Sequence, residues 1–290
     1  GAGAGWLIEK PEEVELGETL GRGTFGNTYE GVWRGNPVAV KSVRVDGDVS
    51  AKEFLCEVEA LARVRGPHIL PFVAACLQPP GACWLVTERL EGGTLHSWLH
   101  GGKGQAKKLR PLSERLDMAL GVARGMQQLA DASPPLLHRD LKPSNVLLDA
   151  LGRPRIGDFG LARLQGAGDQ GVMTGETGTY LYMAPEVMRH EAYGPPCDVF
   201  SFGVVLGEIL GQTIPYAGTF FTPVQIALDV AKGTLTPPVP RGLHPGLAAL
   251  VTTCVDRDPA QRPEFKVIVP QLMHMAIQIR AEEEASEASE

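Results

Sequence analysis

His138-Arg139-Asp140-Leu141-Lys142-Pro143-Ser144-Asn145 is the stretch that most restricts what this chain can fold into, and Asp158-Phe159-Gly160 follows it closely. A short run of strand type lies beside each segment, at 146–148 and at 155–156. This arrangement predicts two strand-to-loop edges that face a single cleft. An isolated Asp or Asn is most often a turn residue, so the interpretation depends on the two segments occurring together.

The residue types in these segments could supply a base, a cation and two metal ligands. Asp140 can accept or orient the proton of a substrate hydroxyl, and Lys142 can neutralise a phosphoryl group in transfer. Asn145 offers a carbonyl oxygen and Asp158 a carboxylate, and a small set of oxygen ligands suits Mg²⁺. We therefore predict Asp140 and Lys142 as catalytic residues and Asn145 and Asp158 as a magnesium site.

A glycine-rich loop lies upstream, at Gly21-Arg22-Gly23-Thr24-Phe25-Gly26. A dinucleotide-binding fingerprint would require a helix immediately afterwards, but the residues from Asn27 to Trp33 are of strand type. A glycine loop between two strands fits a flap over phosphates, because backbone N–H groups can approach closely where no Cβ intervenes. An ordinary hairpin turn is the alternative, although such a turn needs only one or two glycines.

The strand predicted from Val38 to Val43 carries one cation. Ala39, Lys41 and Val43 share a face of this strand, which would offer an apolar wall and one amine. An inward-facing lysine usually extends its amine toward water, so the prediction depends on whether a partner is available.

A helix is predicted from Ser50 to Arg65, where Phe54, Val58, Leu61 and Val64 form one apolar arc. Glu57 lies within that arc, and an inward carboxylate should be paired. We predict that Glu57 pairs with Lys41 and that both belong to the catalytic set, with a purely structural ion pair as the alternative.

The predicted type of secondary structure changes once along the chain, near Glu91. The residues before Gly92-Gly93 are mainly of strand type, and those after it are mainly helical, with the clearest helices at 113–130, 198–210 and 265–280. Residues 1–13 and the acidic segment 281–290 are predicted to be flexible ends. The four basic residues between Lys103 and Arg110 are interpreted as an exposed loop.

Composition narrows the class of protein. The 290 residues include 27 Lys and Arg against 34 Asp and Glu, a formal net charge of −7, which argues against a nucleic-acid partner. Apolar and charged fractions of 43% and 21% are those of a globular domain. Five scattered cysteines predict reduced thiols, and the apolar runs are too short to span a bilayer. We therefore expect a cytoplasmic protein, or the intracellular domain of a longer one.

The four segments together, in this order, resemble those of a eukaryotic protein kinase domain from about Val14 to Ile277. The stretches 54–72, 178–186 and 201–206 are most similar to the tyrosine-kinase-like group, especially its Raf-like, plant and algal members. The resemblance implies an α+β, bilobal protein-kinase fold, with a small β-rich N-lobe containing one helix and a larger, mainly helical C-lobe. The implied bounds are 14–280 for the domain, with the N-lobe at 14–87, the hinge at 88–93 and the C-lobe at 94–280.

The resemblance also implies the ligands and their residues. ATP and Mg²⁺ would bind between the lobes, with Thr87 as the gatekeeper and Glu88 and Leu90 pairing with adenine through their backbone. Leu61, Phe72, His138 and Phe159 would form a hydrophobic stack. The complete set implied for nucleotide binding is Leu20, Gly21, Arg22, Gly23, Thr24, Phe25, Gly26, Asn27, Thr28, Ala39, Lys41, Thr87, Glu88, Leu90 and Leu147.

Regulation and support are implied in the same way. Arg139 beside Asp140 implies control by phosphorylation, with an upstream kinase acting on Thr174 or Thr177. Glu186 would pair with Arg262, and Asp198 would hold the backbone of the catalytic loop.

The implied activity is transfer of the γ-phosphoryl group of Mg-ATP to serine or threonine hydroxyls of protein substrates. In the family, a Lys two residues after the base and a Thr that hydrogen-bonds it favour serine/threonine over tyrosine substrates. Lys142 and Thr179 match this pair, although dual specificity stays open. A catalytically inactive, nucleotide-binding scaffold is the alternative, and it would be favoured by degraded catalytic positions. A kinase of small molecules is disfavoured by Ala184-Pro185-Glu186, which serves peptide docking in the family.

Overall fold

The computed structural model describes residues 5–23, 26–43, 54–55, 58–59, 61–78, 82–102, 104, 106–158 and 179–287. Six residues to which a role was assigned above therefore lie outside the described part of the chain, and their predictions stay untested. They are Thr24, Phe25, Glu57, Phe159 and the two phosphorylation candidates Thr174 and Thr177.

The N-terminal part is built on a six-stranded sheet in the order β1-β5-β6-β4-β3-β2. All neighbouring strands are antiparallel except β1 and β5, which run parallel. The strands are β1 (Leu7–Ile8), β2 (Val14–Gly23), β3 (Gly26–Trp33), β4 (Asn36–Ser42), β5 (Phe72–Gln78) and β6 (Ala82–Glu88).

Alternation along β4 gives the sheet two different faces. Val38 and Val40 are buried in a small core on one face, together with Val86 from β6. Ala39 and Lys41 point to the other face, toward the helical part of the molecule, as the sequence predicted. Successive side chains of a strand point to opposite sides, so the same strand builds a core and presents an amine.

Residues 5–13 are not a flexible end, which corrects the prediction for this segment. Leu7 and Ile8 pair with Ala75 and Cys76, and Ile8 is buried in the small core. A short 3₁₀ turn at Pro11–Glu13 then leads into β2. The prediction was wrong because composition alone does not reveal that one apolar residue has a strand edge to join.

A helical segment follows β4 and packs between the sheet and the rest of the molecule. Among its described residues, Phe54, Val58 and Leu61 are buried in the main core, and so is Val64 just beyond it. The predicted apolar arc is therefore confirmed for all four of its members.

The C-terminal part contains seven helices among the described residues, and one small hairpin. The predicted helices at 113–130 and 198–210 are confirmed. The helices are α1 (Leu95–His100), α2 (Leu112–Ala130), α3 (Pro185–Met188), α4 (Pro196–Gly211), α5 (Pro223–Lys232), α6 (Pro245–Cys254) and α7 (Phe265–Glu287), and the hairpin strands are β7 (Val146–Leu148) and β8 (Pro154–Ile156).

α7 continues to Glu287, so the prediction of a disordered tail from residue 281 is wrong for residues 281–287. Arg280 forms an ion pair with Asp117 of α2 at this end. The composition of the segment, rich in Ala and Glu, is also typical of helices.

The two parts are joined by backbone hydrogen bonds at the hairpin. The amide of Leu70, ahead of β5, donates to the carbonyl of Ile156 over 2.8 Å, and the amide of Ile156 donates to His68 over 2.8 Å. The predicted division into a β-rich N-lobe and a larger helical C-lobe is confirmed.

In the described ranges, no helix is both long and apolar enough to cross a membrane. Four of the five cysteines fall in those ranges, and all four are free and buried. Burial raises the pKa of Cys197 well above its ordinary value, so this thiol is poorly ionised and unreactive.

Candidate functional site

A cavity of about 500 Å³ lies between the sheet and the helical lobe. Side chains from the sheet, the connecting segment after β6 and the β7–β8 hairpin line it together. The predicted residues that line it are Leu20, Gly21, Gly26, Thr28, Ala39, Lys41, Thr87, Glu88, Leu90, Asp140, Lys142, Asn145, Leu147 and Asp158.

The register between strands of the sheet determines which side chains form its wall of the cavity. Thr28 is paired with Lys41 across β3 and β4, and Ala39 is paired with Thr87 across β4 and β6. Residues opposite each other in neighbouring strands share a face of the sheet. Three strands thus present small side chains and one amine to the same side of the cavity.

The catalytic loop converges on Asp140. The side-chain amide of Asn145 donates to the Asp140 carbonyl over 2.7 Å and to its carboxylate Oδ2 over 2.9 Å. Lys142 Nζ lies 3.3 Å from the same Oδ2. These contacts use the nitrogen of Asn145, so its carbonyl oxygen is available to a cation.

The second carboxylate oxygen of Asp140 is different. Oδ1 is buried and has no hydrogen-bond partner within the described ranges. Because an unsatisfied buried acceptor is costly, such an atom at the wall of a cavity indicates a position for a donor from a ligand.

Asp158 reaches the amine on the opposite wall. Its Oδ1 lies 2.8 Å from Lys41 Nζ, which closes the cleft with an ion pair between β4 and the loop after β8. The predicted pairing of Lys41 with Glu57 falls outside the described residues. Lys41, Asp140 and Asp158 therefore share one cavity, although they are far apart in the chain.

Asp198 supports the catalytic loop from α4. Its carboxylate accepts the backbone N–H groups of His138 over 2.7 Å and of Arg139 over 2.8 Å, which confirms the predicted tether. Burial raises the pKa of Asp198, while the charge of His138 and the two N–H donors act in the opposite direction.

Two further predicted contacts are confirmed outside the cavity. Arg262 forms a bidentate ion pair with Glu186, with distances of 2.6 and 2.9 Å, and both side chains are buried. Lys142 Nζ donates to Thr179 Oγ1 over 2.8 Å. The first contact fixes the start of α3, and the second connects the catalytic loop to the turn at Thr179–Leu181.

Among the described side chains, that of Asn27 was predicted to bind nucleotide but does not line the cavity. Asn27 donates its side-chain amide to the Tyr29 hydroxyl over 3.1 Å instead. The backbone of Arg22 and Gly23 continues β2 and pairs with Asn27 and Gly26, and the prediction for these two residues stays untested.

Several wall residues had not been predicted as ligand-binding. Leu61 and Phe72 were expected only as members of a hydrophobic stack. The other wall residues carry no clear signal in the sequence, because backbone position or strand register places them in the wall. They are Leu70, Leu85, Arg89, Gly93, Thr94, Ser144 and Gly157.

Comparisons with known proteins agree with this geometry. A family model described as protein tyrosine and serine/threonine kinase matches residues 14–272. The chain is 37% identical over 281 residues to serine/threonine-protein kinase STY46 of Arabidopsis thaliana, covering 96% of this chain and 47% of that protein. It is 38% identical to serine/threonine-protein kinase VIK of the same plant, covering 92% and 61%.

A third relative is serine/threonine/tyrosine-protein kinase HT1 of Arabidopsis thaliana, which is 35% identical over 279 residues, covering 91% of this chain and 69% of that protein. The chain spans about half the length of the first of these relatives.

Proposed function

The chain belongs to the family of protein tyrosine and serine/threonine kinases, and from this premise we propose that its cleft transfers the γ-phosphoryl group of Mg-ATP to serine and threonine hydroxyls of proteins. The unsatisfied Oδ1 of Asp140 is the observation that supports this best. A substrate hydroxyl placed there would donate its proton to an acceptor that is otherwise without a partner among the described residues.

Asp140 is the proposed base. Its Oδ2 is occupied by Asn145 and Lys142, so the carboxylate is oriented and only Oδ1 is left for a substrate. An oriented acceptor within hydrogen-bond reach of the hydroxyl is what general-base catalysis requires.

Lys142 is the proposed cation for the transferring group. Its amine is held between Asp140 and the Thr179 hydroxyl, so it is positioned at the place where a substrate hydroxyl would approach. A fixed cation there stabilises negative charge as it develops, without reorganisation of solvent.

Magnesium and ATP fit the residues that are present. Protein kinases generally use both, and here the side-chain carbonyl oxygen of Asn145 and the carboxylate of Asp158 would serve as oxygen ligands for Mg²⁺ at the cavity. When bound, Mg-ATP supplies the phosphoryl group and the divalent charge. Lys41 would hold phosphate oxygens. Ala39, Thr28 and Leu147 would enclose the adenine ring between two apolar walls.

The glycine loop suits phosphates for a steric reason. A Cβ added to Gly26, whose φ is +133°, would lie 1.9 Å from the carbonyl oxygen of Ser42. A side chain is therefore impossible at this position without moving the strand. Glycine at this position therefore lets β3 begin directly beside β4, at the end of the glycine-rich segment.

The substrate class and regulation are part of the proposal. Serine/threonine specificity is supported by the contact between Lys142 and Thr179. The name of the relative HT1 includes tyrosine, so dual specificity is a secondary candidate. We further propose a cytoplasmic kinase that is activated by phosphorylation of Thr174 or Thr177 by an upstream kinase.

The test compares the wild type with Asp140→Asn and Asp158→Asn. Turnover of a serine/threonine peptide should fall about 10²- to 10⁴-fold in Asp140→Asn, because the base is lost. Thermal stabilisation by Mg-ADP should persist in Asp140→Asn and be lost in Asp158→Asn, because only the second variant removes a proposed metal ligand.

Peptide phosphorylation that survives Asp140→Asn would contradict the assignment of the base. A wild type that is stabilised by Mg-ADP but transfers no phosphate would instead identify the inactive scaffold.

A further inference from the structure

A buried carboxylate outside the cleft has no role in the proposed mechanism. Glu208 lies on α4, and its side chain is 0% exposed. Its Oε1 lies 2.7 Å from His100 Nε2, at the end of α1, and its Oε2 accepts the Tyr182 hydroxyl over 2.7 Å.

Among the described residues, each oxygen of Glu208 thus has a single donor. Burial, and then the charge of Glu208, raise the pKa of Tyr182 far above its ordinary value, so this hydroxyl keeps its proton and donates it. An unpaired oxygen on a buried carboxylate is costly. His100 must therefore present an N–H at Nε2 to satisfy Oε1.

Tyr182 connects this pair to the cleft. Its backbone N–H donates to the carbonyl of Thr179 over 3.1 Å, which closes the turn at Thr179–Leu181. The hydroxyl of Thr179 accepts from Lys142, which in turn lies 3.3 Å from Asp140. The contacts run without a gap from the end of α1 to the proposed base.

We propose that His100 is a positioning residue for the segment Thr179–Tyr182, which it holds in place for the protein substrate through Glu208 and Tyr182. The inference rests on the proposed function, because the segment precedes Ala184-Pro185-Glu186, where family members dock peptides.

α1 presents the ring rigidly enough for this role. Thr94 and Ser97 cap the start of the helix reciprocally, and Leu95 and Leu99 are fully buried. His100 is therefore fixed at both the backbone and the ring, and its side chain is only 12% exposed.

His96 offers a matched control on the same helix. It lies one turn before His100, with ring centroids 5.2 Å apart, but it is exposed to solvent. Any general effect of replacing a histidine of α1 should appear at both positions, whereas an effect through Glu208 should appear only at His100.

The experiment measures steady-state kinetics with a serine/threonine peptide and Mg-ATP for His100→Phe, His100→Gln and His96→Phe. Phe keeps the volume of the ring but removes the donor, so the peptide KM of His100→Phe should rise about tenfold while the ATP KM stays within about twofold. Gln restores a donor and should recover most of the effect. His96→Phe should match the wild type.

A purely structural role would give a different result. Loss of folded enzyme lowers kcat and leaves the peptide KM unchanged, so an unchanged peptide KM in His100→Phe overturns the inference. Combining His100→Phe with Tyr182→Phe should raise KM no further than the more damaging single change, because both act on Glu208. Independent, multiplying effects would also overturn it.

The two proposals fail in distinguishable ways. A wild type that transfers no phosphate contradicts the proposed function, and with it the role of His100. A wild type that phosphorylates the peptide, combined with unchanged kinetics in His100→Phe, contradicts the role of His100 alone.

Discussion

At the scale of single residues, two residues in the loops that carry Asp140 and Asp158 have backbone conformations that are unusual for residues with a side chain. Arg139 has a φ of 66° and Asp158 a φ of 55°. Each such residue costs on the order of 1–3 kcal/mol. Asp198 holds the amide of Arg139, and Lys41 holds the carboxylate of Asp158. The neighbouring contacts therefore fix geometry that the isolated loops would not adopt.

Asp149, in the β7–β8 turn, provides a prediction about pH. Burial works against its ionisation, but N–H groups of Arg153, Arg155 and Leu151 outweigh burial and lower its pKa to about 2. The ordinary value is about 3.9. Ionised Asp149 therefore stabilises the folded state at pH values above its ordinary pKa. This stabilisation is lost as the pH falls from the ordinary pKa through about 2.

Replacing Asp149 by Asn should therefore lower the free energy of unfolding by about 1–2 kcal/mol at pH 7, a value reduced for the exposure of Arg153. Urea unfolding should show a constant difference from the wild type between pH 7 and pH 5, and a smaller difference below about pH 4. Glu12→Gln, an exposed carboxylate-to-amide change, is the control. A difference that widens on acidification would contradict the assignment.

At the scale of elements, the short strand β1 and the residue before it, Trp6, support a part of the cavity wall that is distant in the sequence. The Ala75 amide donates to the Trp6 carbonyl over 2.9 Å, and the Trp6 ring meets Phe72 edge-on at 6.0 Å between centroids. Phe72 in turn lines the nucleotide cavity. Residues ahead of the matched family region thus support the site.

Neighbouring residues of β1 provide the corresponding test. Ile8 is 2% exposed and Leu7 is 37% exposed. Ile8→Ala should lower the free energy of unfolding by about 2–4 kcal/mol, because it leaves a cavity in the small core. Leu7→Ala should cost less than about 1 kcal/mol. Urea unfolding measures both, and equal costs would mean that β1 is not docked in solution.

At the scale of the whole molecule, the two lobes meet beside a glycine of α2, Gly125, where the helix has no side chain. A Cβ added to Gly125 would lie 2.4 Å from Ile156 of β8 and 2.8 Å from the carbonyl oxygen of His68. The same residues carry the backbone hydrogen bonds between the lobes. Ile156 precedes Asp158 by two positions, so the packing of α2 is connected to a proposed metal ligand.

Two helical glycines should therefore respond with opposite signs to the same substitution. Alanine is favoured over glycine in a helix by about 1 kcal/mol. At Gly207 an added Cβ would meet only ordinary contacts, at 3.5 Å or more, so Gly207→Ala should raise the melting temperature. Gly125→Ala should lower it, because overpacking costs about 1–3 kcal/mol.

Thermal unfolding of the two variants, with peptide turnover as a second readout for Gly125→Ala, checks this prediction. A stabilised Gly125→Ala protein with full activity would show that the lobes do not meet at this position as described.

Many residues that line the cleft could be predicted from the sequence, because residue type and local order indicate them. Asp140, Lys142, Asn145 and Asp158 were identified from two short segments, and Lys41 from the period of one strand. The helix arc through Phe54 and Leu61 was predicted for the same reason. The periodicity of apolar residues and the residue types are local properties of the sequence, so they can be recognised without knowledge of the fold.

Other features depend on contacts between distant segments, which no local pattern specifies. The strand at Leu7–Ile8 exists because β5 offers it an edge, and the extra turns of α7 lie against α2. The pairing of Glu208 with His100 joins residues more than 100 positions apart. The sequence by itself therefore determined which groups could react and the type of each main element. Only the tertiary structure decided which buried polar atoms acquire partners among the described residues and that Asp140 Oδ1, in a residue of the cavity wall, does not. Burial and pairing are properties of the assembled chain.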